Sequence, residues 1–161
     1  MRTALTTLLN IEHPIIQAGM GGGANPTLAA AVSNAGALGS LSSIAMPPDM
    51  VRAAIAETRR LTGRPFAVNM VTWAYTSNWR EIIDAVIDER PPVVTISFGD
   101  PIPAFERCKA AGLTTILQVQ DTAGLQAAIA ARADPIIVQG NEAGGHTGRR
   151  STLSFATQAL E

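Results

Sequence analysis

The sequence predicts an α/β protein built on a buried parallel sheet. Three observations carry that expectation. Six short apolar runs recur along the 161 residues, and each is followed by a helix-like stretch. The composition is crowded with Ala, Ile, Val, Leu and 14 glycines but has only 4% aromatic residues. Strands buried on both faces read as apolar runs rather than alternations, which suits helices packed closely on a parallel sheet. With 47% hydrophobic residues the chain has ample material for a core, and one domain is expected over its length.

The apolar runs are 14–19, 37–41, 65–71, 93–98, 114–119 and 135–139, and the helical patterns between them are 26–35, 47–61, 78–89, 102–111 and 122–131. A sixth helix is expected over 153–160. Asn25-Pro26 supplies an N-cap followed by proline at the first helical position. Asp121 or Thr122 can cap the fifth helix. Gly36, Gly63 and Gly112 stand where helices end and a left-handed C-cap is wanted. Regular βα alternation fits two architectures, a closed (β/α)8 barrel and an open doubly wound sheet. Barrels typically run to about 250 residues, so a barrel reading leaves about a quarter of the fold beyond Glu161.

Composition excludes several function classes. The formal net charge is -1 and Lys109 is the only lysine, so the basic surface of a nucleic-acid binder is not expected. A lone cysteine, Cys108, forms no internal disulfide and, with two histidines, no Cys/His zinc cage. No run approaches the roughly 18 apolar residues of a membrane span, and residues 1–12 lack signal-peptide order. A soluble cytoplasmic protein is the expectation. No phosphate-binding G-x-x-x-x-G-K-[ST] loop or G-x-S-x-G elbow occurs. Lys109 and Cys108 fall inside a helical pattern, so neither is expected to be a nucleophile at a strand end.

Two glycine-rich segments follow strands. Gly19-Met20-Gly21-Gly22-Gly23-Ala24 matches the dinucleotide fingerprint G-x-G-x-x-G/A literally. The second run, however, ends without the acidic residue that would hold ribose hydroxyls, and Asn25-Pro26 starts the helix late. The remaining readings are a backbone lying flat against a planar cofactor and a plain flexible turn. The other segment, Gln139-Gly140-Asn141-Glu142-Ala143-Gly144-Gly145-His146-Thr147-Gly148, presents His146 among glycines at the active end of the sheet. Histidine is the side chain most ready to exchange protons near neutral pH. Glu142 either orients His146 or simply caps or solvates the loop, and is not read as catalytic; His13, before the first run, is read as structural.

Asn69 interrupts the apolar run 66–71, and a buried amide needs a partner, either a cofactor ring or neighbouring protein groups. Gln118 and Gln139, at the ends of the fifth and sixth runs, carry the same two readings. Together these residues line one end of the sheet with neutral amides and glycine, which suits a neutral heterocycle. They lack the carboxylate clusters of a metal site or a glycosidase. Arg149-Arg150 is read as a solvated pair, with cofactor or carrier phosphates as the alternative.

Residues 14–20, the segment 28–39, the run Phe66-Ala67-Val68-Asn69 and the histidine loop 139–148 resemble, in the same order, the nitronate monooxygenases, also called 2-nitropropane dioxygenases. The resemblance covers the whole chain. It implies an FMN-dependent TIM barrel that oxidises alkyl nitronates with molecular oxygen, represented here by about six βα units as a single incomplete domain over 1–161. It implies that His146 is the catalytic base toward neutral nitroalkanes, and that Ala18, Gly19, Met20, Asn69, Gln118, Gly144 and Gly145 contact the flavin. The strands seven and eight that usually grip the phosphate would lie beyond Glu161. The flavin-dependent enoyl-[acyl-carrier-protein] reductases have nearly the same motifs and are the alternative; an inactive, flavin-free remnant is another. Expected partners are a small-molecule substrate and oxygen, with no nucleic acid and no membrane, and homo-oligomers through exposed strand edges.

Overall fold

In a computed structural model, residues 2–74 and 79–161 are described. Five parallel strands form one sheet: β1 (Gly39–Ser42), β2 (Phe66–Val71), β3 (Val93–Ser97), β4 (Thr114–Val119) and β5 (Ile136–Val138). They lie side by side in chain order. That order never reverses, which excludes the doubly wound alternative, whose sheet turns back at a switch point. Between and around the strands run α1 (Ala4–Leu9), α2 (Pro26–Asn34), α3 (Pro48–Leu61), α4 (Trp79–Glu89), α5 (Ile102–Ala110), α6 (Thr122–Ala130) and α7 (Thr152–Leu160). Neighbouring crossover helices touch one another, α2 with α3, α3 with α4 and α4 with α5. Right-handed crossovers in a one-way strand order place such helices on a single face.

Alternation along the strands separates two cores. Val68, Met70, Val94, Ile96, Leu117 and Val119 pack with helix residues Ile55, Ile83, Val86, Phe105 and Leu125. On the opposite face Ala67, Val93 and Ile116 meet Leu38, Leu9 and Ile11, so α1 and the segment after it close the N-terminal end of that face. Helix α1 was not foreseen in the sequence. Thr3 caps it reciprocally with Thr6.

The boundaries follow the predicted chemistry with two exceptions. Asn25 accepts from the Leu28 N–H and Asp121 from the Gly124 N–H, as N-caps do. Gly36 and Gly112 adopt left-handed φ values of 89° and 76°, but Gly63 does not: α3 ends at Thr62 in extended backbone. The first apolar run, 14–19, is the second exception, for it forms only an isolated parallel bridge, Ile16 to Leu38. Pro14 has no N–H to donate. Beyond the bridge the Gln17 side chain takes over, its Nε2 donating to the Ser40 carbonyl at 3.0 Å and its Oε1 accepting from the Ser40 N–H at 3.3 Å. The expected helix start at Asn78 lies outside the described residues. Among the described residues no helix is long and apolar enough to cross a membrane.

Candidate functional site

The strand register gathers the predicted polar residues on the face away from the helices. Ser42 lies across from Asn69, Asn69 from Thr95, Val71 from Ser97, and Ser97 from Gln118. Asn69 is buried at 8% exposure, and its Nδ2 donates to Thr95 Oγ1 at 3.0 Å. This bond across to β3 is how an amide survives inside an apolar strand.

The loops leaving the strands' carboxyl ends complete a cavity of about 260 Å³. Ala18, Gly19, Met20, Asn69, Gln118, Gly144, Gly145 and His146 all line it, together with Ser42, Ser97, Phe98 and Gln139. Gly19 is packed so closely that a Cβ there would stand 2.2 Å from Asn69 Oδ1. Residues Gly21–Gly23 form a single 3-10 turn and the helix begins only at Pro26, a longer connection than the dinucleotide fingerprint requires. At the other rim, a Cβ on Gly144 or Gly145 would meet nothing within 4 Å, and Gly145 holds a left-handed φ of 70°. That loop therefore exposes backbone to the cavity.

His146 is exposed at the cavity, its ring set edge-on to Trp73 at 4.9 Å and to Phe98 at 6.2 Å between centroids. Its carbonyl accepts a hydrogen bond from Gln139 Nε2 at 3.2 Å. The other end of that amide, Gln139 Oε1, is buried without a partner among the described residues. A buried acceptor left unsatisfied is costly, so the cavity offers an acceptor to a ligand donor.

Glu142 does not orient His146. Its Oε2 accepts from the Thr152 N–H at 2.7 Å and the Thr152 hydroxyl at 2.5 Å, capping α7. The Thr152 hydrogen bonds hold the carboxyl below the usual carboxylate range. Nor are both arginines of the pair solvated. Arg150 donates to Thr122 Oγ1 at 2.6 Å and to Gln158, and its guanidinium lies over the Phe155 ring; only Arg149 is exposed. Cys108 is buried in the helix–sheet core, where desolvation raises its thiol to about 11. It is packed rather than reactive, as expected.

Trp73 and Phe98 escaped the sequence reading. Both stand just after strands, β2 and β3, where a large aromatic in a chain so poor in aromatics was the available signal. Phe98 has a left-handed φ of 59°, uncommon for a bulky residue, and its carbonyl accepts from Thr72 Oγ1. Backbone strain of this kind often marks a functional site.

The arrangement combines neutral amides, exposed backbone and one proton-exchanging ring, and among the described residues no Lys, Arg, Asp or Glu lines the cavity. Among the described residues no three His, Cys, Asp or Glu side chains could share a metal ion. Such a site fits a planar neutral heterocycle bearing its own donors and acceptors.

The family model described as nitronate monooxygenase matches residues 2–76 and 70–161. The chain is 37% identical, over all of its length and 45% of the other's, to a 5-hydroxy-7a-methyl-1-oxo-octahydro-indene-carboxyl-CoA dehydrogenase of Rhodococcus jostii. It is 34% identical to a nitronate monooxygenase of Paraburkholderia phytofirmans, covering 91% of this chain and 50% of that one. FabK from Thermotoga maritima superposes with a TM-score of 0.91 at 37% identity, covering 100% of this chain and 52% of FabK. The chain thus spans about half the length of the relatives it matches. With the family model covering the described sheet, the glycine turn and the histidine loop together, the chain belongs to the nitronate monooxygenase family.

Proposed function

We propose that the cavity binds the ring of FMN and that the protein is an oxidoreductase acting on alkyl nitronates and nitroalkanes with molecular oxygen. The observation that carries this reading is the convergence of Ala18–Met20, Asn69, Gln118 and Gly144–His146 on one cavity at the carboxyl ends of parallel strands. In this reading residues 1–161 are the first six βα units of a (β/α)8 barrel, a single incomplete domain, with its first strand reduced to the Ile16 bridge.

The residues fit the ring. Gln139 Oε1 is an orphaned acceptor that a ring N–H would satisfy. Gly144 and Gly145 leave open space where side chains would intrude, and their backbone can approach a flat ligand. Asn69, fixed by Thr95, presents its amide beside Gly19. The chemistry that FMN supplies when bound is acceptance of electrons from the substrate carbon and their delivery to oxygen.

His146 removes the proton from the carbon bearing the nitro group, taking it on a ring nitrogen, while the electron pair stays behind in the nitronate. Trp73 and Phe98 hold the imidazole from its edges, and Gln139 holds the loop that carries it. A nitronate has already lost this proton, so His146 matters for the neutral substrate alone. His146→Asn is therefore expected to lower nitroalkane turnover by about 10²–10⁴-fold, the usual share of a general base, while sparing nitronate oxidation. Oxygen consumption with each substrate checks it, and unchanged nitroalkane turnover overturns the role.

Enoyl-thioester reduction is the second reading; what supports it is a thioester substrate, the carboxyl-CoA in the name of a relative that is a dehydrogenase. It predicts NADH oxidation that depends on an enoyl thioester and is indifferent to nitroalkanes.

A further inference from the structure

A second cavity, of about 270 Å³, lies behind the wall of the first. Its apolar lining comes from Trp73, Trp79, Ile83, Pro103 and Ala104, and Thr72 and Asp100 add polar atoms. The two cavities share a partition made of the segments after β2 and β3. Val71 and Phe98 face the first, while Thr72, Trp73 and Asp100 face the second. The partition is stiffened where Thr72 Oγ1 donates to the Phe98 carbonyl, and Gly99 sits so near that a Cβ would lie 2.6 Å from Thr72 Oγ1. Trp73 adjoins both: its ring touches the His146 imidazole, the residue lines the second cavity, and it is 48% exposed.

We propose that this second cavity is a subsite for an uncharged alkyl substituent of the substrate, carried on the carbon whose proton His146 removes. The proposal rests on the reading of His146 as that base. Two indoles, an isoleucine, a proline and an alanine offer dispersion and hydrophobic burial, and among the described residues no cation lines the cavity. Asp100 at the cavity disfavours an acidic substituent. Trp73, which touches His146 and lines the second cavity, places the alkyl subsite next to the reacting centre.

Binding of linear primary alcohols from butanol to octanol to the purified chain, read from indole fluorescence, tests the subsite without any flavin. Affinity is expected to rise about fourfold for each added methylene until the cavity fills. Ala104→Leu, which fills space in the cavity, should flatten the series, with circular dichroism confirming the fold. Trp73→Ala removes an exposed wall, so it should fold normally and weaken the increment while Trp79 remains as reporter. Affinity independent of chain length, or a series unchanged in both variants, overturns the proposal. With FMN bound, KM for 1-nitrobutane through 1-nitrooctane should fall in parallel; a flat KM beside chain-dependent alcohol binding overturns the assignment to substrate. Absence of nitroalkane turnover with the alcohol series intact overturns the nitroalkane reading instead, and supports the cavity as an alkyl subsite.

Discussion

Gly19 and Gly144 line the same cavity but answer differently to an added methyl group. A Cβ at Gly19 would fall 2.2 Å from Asn69 Oδ1 and 2.5 Å from its Cγ. Asn69 is buried and tied to Thr95, so it can yield only by giving up that bond. Gly19→Ala is expected to lower unfolding stability by about 1–3 kcal/mol, the usual cost of overpacking, and to weaken flavin binding as Asn69 shifts. At Gly144 the added methyl meets no protein atom. Gly144→Ala should therefore leave stability within about 0.5 kcal/mol of the parent while obstructing the ring. Thermal unfolding and flavin titration on the two variants check both halves. Equal stability losses at the two positions would contradict the packing described here.

At the scale of elements, the cap on α7 links the histidine loop to the fold through pH. Glu142 accepts two hydrogen bonds from Thr152, and these hold its carboxyl below the ordinary value of 4.5. A carboxyl depressed in the folded state binds fewer protons there than in the unfolded chain, so its contribution is present above the unfolded value and is lost as pH falls through the folded one. Glu142→Gln is expected to melt lower than the parent near neutrality. The gap should narrow as pH is taken below about 4.5, the window that the depressed carboxyl defines. Melting curves across that range are the check, and a gap that stays constant with pH would remove the charged cap from the account. Much at this scale was legible in the sequence, because caps and strands are local: Asn25, Asp121, Gly36 and Gly112 act where the chain says they act. Glu142 was open between two roles because its partner, ten residues on, is chosen by how the loop folds back. The run 14–19 misled for a similar reason, since backbone pairing reaches only from Ile15 and Gln17 to Leu38, and the Gln17 side-chain amide takes up Ser40 in its place.

At the scale of the molecule, the sheet brings the proposed ring-binding residues from four separated segments to one end, and that convergence was readable because they stand at or just after the carboxyl ends of the apolar runs. The Trp73–Phe98 partition was not readable, because it depends on how two loops pack on each other rather than on any local pattern. In (β/α)8 barrels a phosphate is commonly gripped by the loops after strands seven and eight and by the helix that follows. The proposed six units supply neutral amides, backbone and an imidazole, and among the described residues no Lys or Arg lines the cavity. The binding energy of this chain for a flavin should therefore come from the ring alone. FMN and riboflavin are expected to bind the 161-residue chain within about twofold of each other, with little dependence on salt, since a phosphate left in water gains nothing from a cation. Quenching of flavin fluorescence on titration measures both affinities. A preference for FMN of tenfold or more that weakens with salt would locate a phosphate grip within residues 1–161. Arg149, the exposed member of its pair beside the histidine loop, is the first side chain to replace in that case.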